Sequence, residues 1–303
     1  SDMPWKKLGI VFDPRNKTDW IKNYSWVPIP EHIGNGLFRV YFSGRTKENL
    51  SVPGAITIDI QNPFDLLDLT KKPLLELGNL GSFDDSGVIP SWILNHDGRK
   101  YMFYSGWMQG KRIPFHSSIG LAISDDDGKS FSKVSSAPYL PLNDIDPYFT
   151  ASCCVFVEGG KWRMWYTSNT RWEIINNEAT PKYHIKYAES DDGISWERLG
   201  VIAIDFNSDE EIAITRPWII KEDGIYKMWF TYRGLSNKIG YAESPDGLLW
   251  ERIKSENELD VSDTGCDSEM VSYGAVVEYS NKKYMFYNGN NYGETGIALA
   301  VFE

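Results

Sequence analysis

Apolar and polar residues alternate along most of this chain in short runs that end on an aromatic side chain. The clearest runs close at Phe42, Tyr104, Tyr166, Phe230 and Tyr287, which are 62, 62, 64 and 57 residues apart. Alternation over a few residues, bounded by Gly, Asp and Asn, is typical of β-hairpins. A period of this size across 303 residues indicates a repeat architecture of five units.

Each unit has the pattern of four short strands. A mostly apolar first strand, such as residues 152–155, precedes the aromatic strand, and a third strand, such as residues 185–190, follows it. An Asp-Gly turn, such as Asp192-Gly193, then leads to an aromatic residue that opens a fourth strand. No segment shows capped helical periodicity, so we expect very little helix.

The beginning of the chain has the pattern of a fourth strand. Residues 5–11, Trp-Lys-Lys-Leu-Gly-Ile-Val, resemble residues 196–202, Trp-Glu-Arg-Leu-Gly-Val-Ile, whereas the last unit stops after its third strand. We therefore predict an all-β fold, a five-bladed β-propeller in which the N-terminal strand completes the last blade and protects its edge. The uniform repeat predicts a single domain over residues 1–303.

Composition narrows the classes of partner. The net charge is −11 and no basic run is present, which argues against nucleic acid and anionic membranes. No apolar stretch approaches the ~20 residues of a membrane span, and no apolar signal region follows Met3, so we expect a cytoplasmic protein. The three cysteines and four histidines lack metal-ligand spacing, which predicts no metal site. The oligomeric state stays open.

Acidic residues recur four or five positions before the first strand of four units. They are Asp85, Asp146, Glu211 and Glu269. Because the start of strand one and the end of strand two share one face of a propeller, we expect these carboxylates around a central funnel. Like charges in one cavity disfavour each other's ionisation, which can leave one acid and one base, so we predict that all four are catalytic. Taken singly, each could instead bond to local backbone N–H groups.

A second set of side chains is predicted on the same face as substrate-binding residues. Arginine, asparagine and tryptophan, which follow the second strands, clamp anions, hydroxyls and sugar faces. The full set is Asp13, Arg45, Asp84, Trp107, Tyr148, Asn169, Trp172, Arg216, Arg233, Asp267, Tyr273, Asn290 and Tyr292.

With these features the chain resembles the five-bladed propeller glycoside hydrolases and phosphorylases of families 32, 43, 68, 117 and 130. The resemblance covers the whole length and includes the strings at residues 83–90, 146–147, 216–218 and 267–273. It implies that Asp85 or Asp13 is the base, Asp146 its modulator and Glu211 the general acid. It implies no cofactor, although the group includes members with a structural calcium ion on the axis.

The chain departs from these families at two places. Family 43 has Glu directly before Gly-Pro where this chain has Thr215-Arg216-Pro217, and family 32 has Asn-Asp-Pro where this chain has Phe12-Asp13-Pro14. The arginines at 45, 216 and 233 favour the phosphorylases, whose sites hold an anion, or the related transferases.

Three functions follow from these observations, each with a carbohydrate as ligand. The leading hypothesis is an inverting glycoside hydrolase, with funnel carboxylates ~6.5–9.5 Å apart and room for a water molecule. The second is a glycoside phosphorylase or a glycosyltransferase in glycan assembly. The third is a non-catalytic glycan-binding propeller, because a fold does not fix a function.

Overall fold

The computed structural model describes residues 4–303, and β-strands account for most of them. The strands form five antiparallel blades, and the first strands of the blades contact one another in a closed ring.

Blade I contains β2 (Asn23–Gly34), β3 (Leu37–Arg45), β4 (Ser51–Asp59) and β5 (Asp68–Leu69). Blade II contains β6 (Gly87–His96), β7 (Arg99–Gln109), β8 (Phe115–Ser124) and β9 (Ser132–Lys133). Blade III contains β10 (Thr150–Glu158), β11 (Lys161–Ile175), β12 (Glu178–Ser190) and β13 (Glu197–Ile204). Blade IV contains β14 (Ala213–Glu222), β15 (Ile225–Arg233), β16 (Asn237–Ser244) and β17 (Glu251–Arg252).

Blade V takes its outer strand from the opposite end of the chain. It contains β18 (Ser272–Tyr279), β19 (Lys282–Asn288), β20 (Ile297–Phe302) and β1 (Trp5–Phe12). Strand β1 pairs antiparallel with β20, from Trp5 opposite Phe302 to Phe12 opposite Ile297. The predicted five-bladed propeller and its closure by the N-terminal strand are therefore confirmed.

Helix is scarce, as the sequence predicts. Within residues 4–303 the helical element is the four-residue turn α1 (Asn290–Gly293), where Asn291 and Tyr292 have positive φ. In the same part of the chain, no helix is long and apolar enough to cross a membrane.

The second strands supply the centre of each blade. Fully buried apolar residues occupy the same register in all five, namely Val40, Met102, Met164, Met228 and Met285. Neighbouring blades are joined by indole N–H groups that reach backbone carbonyls: Trp165 Nε1 donates to Gly247 O (2.8 Å) and Trp218 Nε1 to Val276 O (2.8 Å). Such side chains combine a large apolar surface with a satisfied polar group, which keeps the blade interfaces dry.

A register shift interrupts the pairing near the start of the first strand in every blade. In three blades a residue other than glycine has positive φ at such a shift: Tyr24 and Val27 in blade I, Arg216 in blade IV and Tyr273 in blade V. The N–H groups of Val27 and Tyr273 are held by the preceding blade, by Asn288 Oδ1 (2.9 Å) and Thr231 Oγ1 (2.8 Å). Because a bulge re-aims the side chains beside it, these shifts decide which residues face the axis.

Candidate functional site

A cavity of about 400 Å³ opens at the axis, on the face where the first strands begin. All five blades contribute to its walls, including Trp26 of blade I, Ile89 of blade II, Ser152 of blade III, Thr215 of blade IV and Tyr273 of blade V. The sequence predicts a site on this face, and the starts of first strands and ends of second strands do meet there.

Aromatic rings form much of the wall. Trp107, at the end of the second strand of blade II, lines the cavity, and its Nε1 donates to Ser51 Oγ (3.1 Å). Gly87 makes room for this indole, since a Cβ at Gly87 would lie 1.7 Å from Trp107 Nε1. The ring is thereby fixed in position by a hydrogen bond and by a close backbone approach, as a stacking platform for a sugar requires.

A tall hairpin of blade III supports a neighbouring part of the wall. Strands β11 and β12 extend to Ile175 and Glu178, well beyond their counterparts in other blades, and place Trp172 against Phe115 and Phe149. The ring centroid of Trp172 lies 5.4 Å from that of Phe115 and 5.9 Å from that of Phe149. Phe115 and Phe149 line the cavity, so Trp172 acts from behind them.

Hydroxyl groups provide most of the polar lining. Ser105, Ser117, Ser152, Thr167 and Thr215 contribute aliphatic hydroxyls, and three tyrosines contribute phenols. Burial raises the pKa of Tyr183 to about 12 and that of Tyr273 well above its usual value. Both phenols therefore stay protonated at neutral pH and can donate hydrogen bonds to a ligand.

The charge in the cavity is positive. Arg45 is the charged side chain among the lining residues of the described chain, and neither a carboxylate nor a histidine accompanies it there. Its guanidinium lies 4.7 Å from the ring centroid of Tyr24 and 5.5 Å from that of Trp26. Across residues 4–303, no three His, Cys, Asp or Glu side chains are grouped to hold a metal ion.

A second arginine lies beneath the cavity floor. Arg216 is fully buried, donates from Nη1 to Tyr273 O (3.2 Å) and from Nη2 to Pro28 O, and so ties blade IV to blades V and I. Burial without an acidic partner lowers the pKa of Arg216, to about 9. At neutral pH this residue still carries its positive charge.

Two of the four recurring carboxylates, Asp146 and Glu211, lie inside the blades. Asp146 is fully buried, where its Oδ2 accepts hydrogen bonds from Tyr166 (2.7 Å) and Arg198 Nη1 (3.3 Å). Its Oδ1 accepts from Ser168 Oγ (2.5 Å) and Lys186 Nζ (3.2 Å). With every lone pair engaged by protein, Asp146 has no free oxygen for a substrate. Its predicted position at the funnel mouth is wrong.

The same arrangement recurs in three other blades, and we call the four groups the blade ion clusters. Each joins an acid ahead of the first strand to a cation from the fourth strand, and three include a tyrosine of the second strand. Blade II has Asp84, Tyr104 and Lys133, blade III has Asp146, Tyr166 and Arg198, and blade V has Asp267, Tyr287 and Lys7. In blade IV, Glu211 accepts two bonds from Arg252 (2.7 and 2.9 Å), and Phe230 stands where the others have tyrosine.

The blade ion clusters correct three further predictions. Asp84 and Asp267 are 1% and 3% exposed and Glu211 is 8% exposed, and each is paired with its cation instead of lining the cavity. These acids recur because each makes the same kind of ion pair inside its blade. Their recurrence is therefore not evidence for catalysis.

The other two predicted catalytic acids also lie outside the cavity lining. Asp85 accepts hydrogen bonds from Gly81 N (2.9 Å) and Ser86 Oγ (2.8 Å), as a loop carboxylate does. Glu269 is exposed, and its backbone N–H donates to Asn290 Oδ1 (2.7 Å). The expected pair of funnel carboxylates is thus not assembled in residues 4–303.

Comparison with known proteins places the chain in a family. No family model matches it. It is 36% identical over 301 residues to "Uncharacterized protein Rv1502" of Mycobacterium tuberculosis (strain ATCC 25618 / H37Rv), a match that covers 99% of this chain and 100% of that protein. An equal match is "Uncharacterized protein MT1551" of Mycobacterium tuberculosis (strain CDC 1551 / Oshkosh). The chain belongs to the family of these mycobacterial proteins.

Solved structures share the fold at lower sequence identity. A structure named "Glycoside hydrolase" superposes with a TM-score of 0.75 at 18% identity, covering 98% of this chain and 91% of that one. A thermostable family-43 glycoside hydrolase gives 0.67 at 17% identity, covering 94% and 91%. A structure described under the GH130 family of mannoside phosphorylases gives 0.70 at 15% identity, covering 98% and 93%. The resemblance to this propeller superfamily is confirmed at the level of fold.

Four of the predicted binding residues line the cavity. They are Arg45, Trp107, Tyr273 and Tyr292. Three others lie next to it: Trp172 behind the aromatic wall, Arg216 below the floor, and the exposed Arg233, whose charge acts on the Tyr183 and Tyr273 phenols.

The remaining predicted binding residues outside the blade ion clusters have local contacts. Asp13 is paired with Arg15 (2.8 Å), Asn169 Oδ1 accepts from Lys182 N (3.1 Å), and Asn290 Oδ1 holds the loop at Glu269. Tyr148 is 42% exposed and lies outside the cavity lining.

The sequence interpretation missed several lining residues, chiefly Trp26, Phe115, Phe149 and Tyr183. Trp26 directly precedes the bulge residue Val27 in the first strand of blade I, at the register that Ser272 occupies in blade V. Phe115 and Tyr183 come from third strands, beyond the two strand ends that were considered. Aromatic residues at the starts of third strands were the signal that could have found them.

Proposed function

We propose that this chain is a carbohydrate-active enzyme whose sugar substrate occupies the axial cavity. The observation that carries the proposal is the lining itself, which combines aromatic rings from blades I, II, III and V with hydroxyl-bearing side chains and one arginine. Aromatic rings stack on sugar faces, and hydroxyls and phenols bond to sugar hydroxyls. Family-43 and GH130 structures share the fold, which supports the substrate class by analogy.

Transfer of a glycosyl group suits this cavity better than hydrolysis. Inverting hydrolysis needs one carboxylate to protonate the leaving oxygen and another to activate water, and the described lining residues include neither. Arg45 and the protonated phenols of Tyr183 and Tyr273 are hydrogen-bond donors that stabilise negative charge on a leaving group or an acceptor. A glycosyltransferase, whose leaving group is already an anion, therefore fits these side chains. In a phosphorylase, phosphate would replace water as the nucleophile, and the phenol of Tyr183 or Tyr273 would protonate the leaving oxygen.

Substitution of the stacking platform tests the substrate class. Trp107→Ala should weaken binding of a recognised glycan about 10-fold, because an aromatic contact contributes roughly 1 kcal/mol beyond its buried area. The wild-type protein is screened on a glycan array, and the affinity of each hit is measured by calorimetry. Tyr148→Ala removes an exposed aromatic outside the cavity and serves as the matched control. Absence of any glycan hit, or equal losses in the two variants, contradicts the proposal.

Turnover of the recognised glycan separates the reaction types. Incubation with inorganic phosphate should release a sugar phosphate from a phosphorylase, and incubation with a nucleotide sugar should release the nucleotide from a transferase. Release of the free sugar in water alone, at a rate unaffected by either addition, would favour hydrolysis.

A non-catalytic glycan-binding propeller is the second candidate. The observation that favours it is the lack of carboxylate and histidine among the described lining residues, since these side chains supply most general acids and bases. Glycan binding that depends on Trp107, without turnover under any of the three conditions, would support this function.

A further inference from the structure

Two buried hydrogen-bond donors in the cavity wall lack acceptors. Arg45 Nε and Trp26 Nε1 are both shielded from solvent, and neither has a hydrogen-bond partner within residues 4–303. The two side chains are neighbours, with the Arg45 guanidinium 5.5 Å from the Trp26 ring centroid, and both line the cavity. Because buried unsatisfied donors destabilise a fold, this part of the wall is built for a ligand that accepts hydrogen bonds.

The positive charges around the cavity have no acidic counterparts. Arg45, Arg216 and Arg233 form no ion pair with any carboxylate of the described residues. Most other arginines of the chain are paired, and acidic residues outnumber basic ones by 42 to 31. Three unpaired arginines at one site in an acidic protein concentrate positive potential where a ligand would lie.

The nearest acid at the rim is Glu294, which is engaged elsewhere. Its Oε1 accepts from Asn23 Nδ2 (3.4 Å), and its Oε2 accepts from Asn291 Nδ2. Burial raises the pKa of the Tyr24 phenol, which Arg45 lowers and Glu294 raises further, and the Tyr24 ring lies under the Arg45 guanidinium. Arg45 is thus held in place by aromatic faces and keeps its donors free.

We infer that the sugar bound in the cavity carries an acidic group, a carboxylate, phosphate or sulfate, that binds between Arg45 and Trp26. This inference rests on the proposed function and names the substrate class of that same site. An arginine fork together with an indole N–H matches the planar or tetrahedral oxygens of such a group. The acidic group fixes the orientation of the sugar, while Trp107 and Phe115, neighbours on one hairpin, provide an aromatic surface for it.

Matched pairs of sugars test the inference. Affinities are measured by calorimetry at constant ionic strength for neutral methyl glycosides, the corresponding uronates, and the corresponding sugar phosphates and sulfates, with inorganic phosphate alone as a further ligand. We expect at least one acidic sugar to bind about 10-fold or more tightly than its neutral partner, with affinity that falls as salt is added.

Two variants locate the acidic group. Arg45→Gln should weaken binding of the preferred acidic sugar about 10-fold or more and leave its neutral partner within about 2-fold. Trp26→Phe keeps the ring, removes the N–H and should reduce the same preference by a smaller factor. Arg112→Gln removes an exposed arginine outside the cavity lining and should change neither affinity.

Three results would overturn the inference in distinguishable ways. Equal binding of neutral and acidic partners, or equal losses for both in Arg45→Gln, refutes the acidic group and leaves the proposed function standing. If inorganic phosphate binds as tightly as every acidic sugar, Arg45 binds a free anion, and the acidic group does not belong to the sugar. Failure of every neutral and acidic sugar to bind refutes both this inference and the proposed function.

Discussion

The blade ion clusters and the axial cavity use charged residues in opposite ways. In the clusters each buried carboxylate meets a cation from the fourth strand, as Asp84 meets Lys133 and Glu211 meets Arg252. In the cavity Arg45 and Trp26 present donors with no acceptor in the described chain. The paired groups hold the blades together, and the unpaired donors of Arg45 and Trp26 lie where we infer that a ligand binds.

The two regions also differ in how they repeat. In four of the five blades, a cluster pairs an acid ahead of the first strand with a cation of the fourth strand, and in three of them a tyrosine of the second strand joins the pair. The cavity residues differ from blade to blade: Trp26, Ile89, Ser152 and Thr215 line the same wall with different chemistry. In a repeat protein, a feature that recurs from unit to unit stabilises the individual units, whereas a feature found in one unit belongs to the binding site.

Removal of a buried cluster carboxylate should have the largest effect. Asp146→Ala leaves Lys186 and Arg198 facing each other without their counter-ion, so we expect a loss of about 3–5 kcal/mol in the free energy of unfolding. Urea unfolding followed by tryptophan fluorescence measures it. Asp144→Ala, an exposed acid two residues away, should change stability by less than about 0.5 kcal/mol.

A catalytic Asp146 would give a different result. Turnover would then be abolished in Asp146→Asn while the unfolding midpoint stayed at its wild-type value. That outcome would show that Asp146 belongs to a catalytic site. The distinction between the blade ion clusters and the axial cavity would then be wrong.

Loss of the cluster phenol should have an intermediate effect. Tyr166→Phe removes the 2.7 Å hydrogen bond to Asp146, and a bond to a charged group contributes about 1.5–3 kcal/mol. Denaturant titration should show this loss, and glycan affinity should not change. Tyr148→Phe, an exposed tyrosine, is the matched control. A change in glycan affinity larger than the change in stability would place Tyr166 in the site.

A change of pH should have the smallest effect, here on glycan affinity. This measurement distinguishes the cavity from a site that depends on carboxylates. The raised pKa values of Tyr183 (about 12) and Tyr273 mean that both phenols stay protonated up to pH 9 and lose their protons only in strong alkali. The described lining residues include no Asp, Glu or His. Affinity for a neutral glycan should therefore vary by less than about 2-fold between pH 6 and 8, a range that lies below the pKa of about 9 that burial gives Arg216. A bell-shaped profile in this range would indicate an acid–base pair in the cavity.

The fold was predictable because alternation and period are properties of the sequence itself. Five aromatic strand ends and the resemblance of residues 5–11 to residues 196–202 indicate both the blade number and the closure. Neither prediction depends on the direction of a side chain, so local irregularities of the backbone did not affect them.

The site was predictable only in part, because facing direction depends on register. In a strand, a shift of one residue moves a side chain to the opposite face, and a bulge near the start of each first strand makes that shift. Counting back from the strand therefore placed Asp146 at the axis, although it points into its blade. Arg198, the partner of Asp146, lies in the predicted fourth strand. The sequence interpretation used that strand only to predict how the propeller closes.

The closing strand has a consequence for how the protein is made. Strand β1 pairs with β20, where Trp5 faces Phe302, so the two partners lie almost the full chain apart. At a synthesis rate of roughly 5–20 residues per second, β1 leaves the ribosome about 15–60 s before β20 does. During that time its edge is free to pair with another nascent chain. Strand β1 is thus made first and incorporated last, and the ring seals only after translation has passed its final blade.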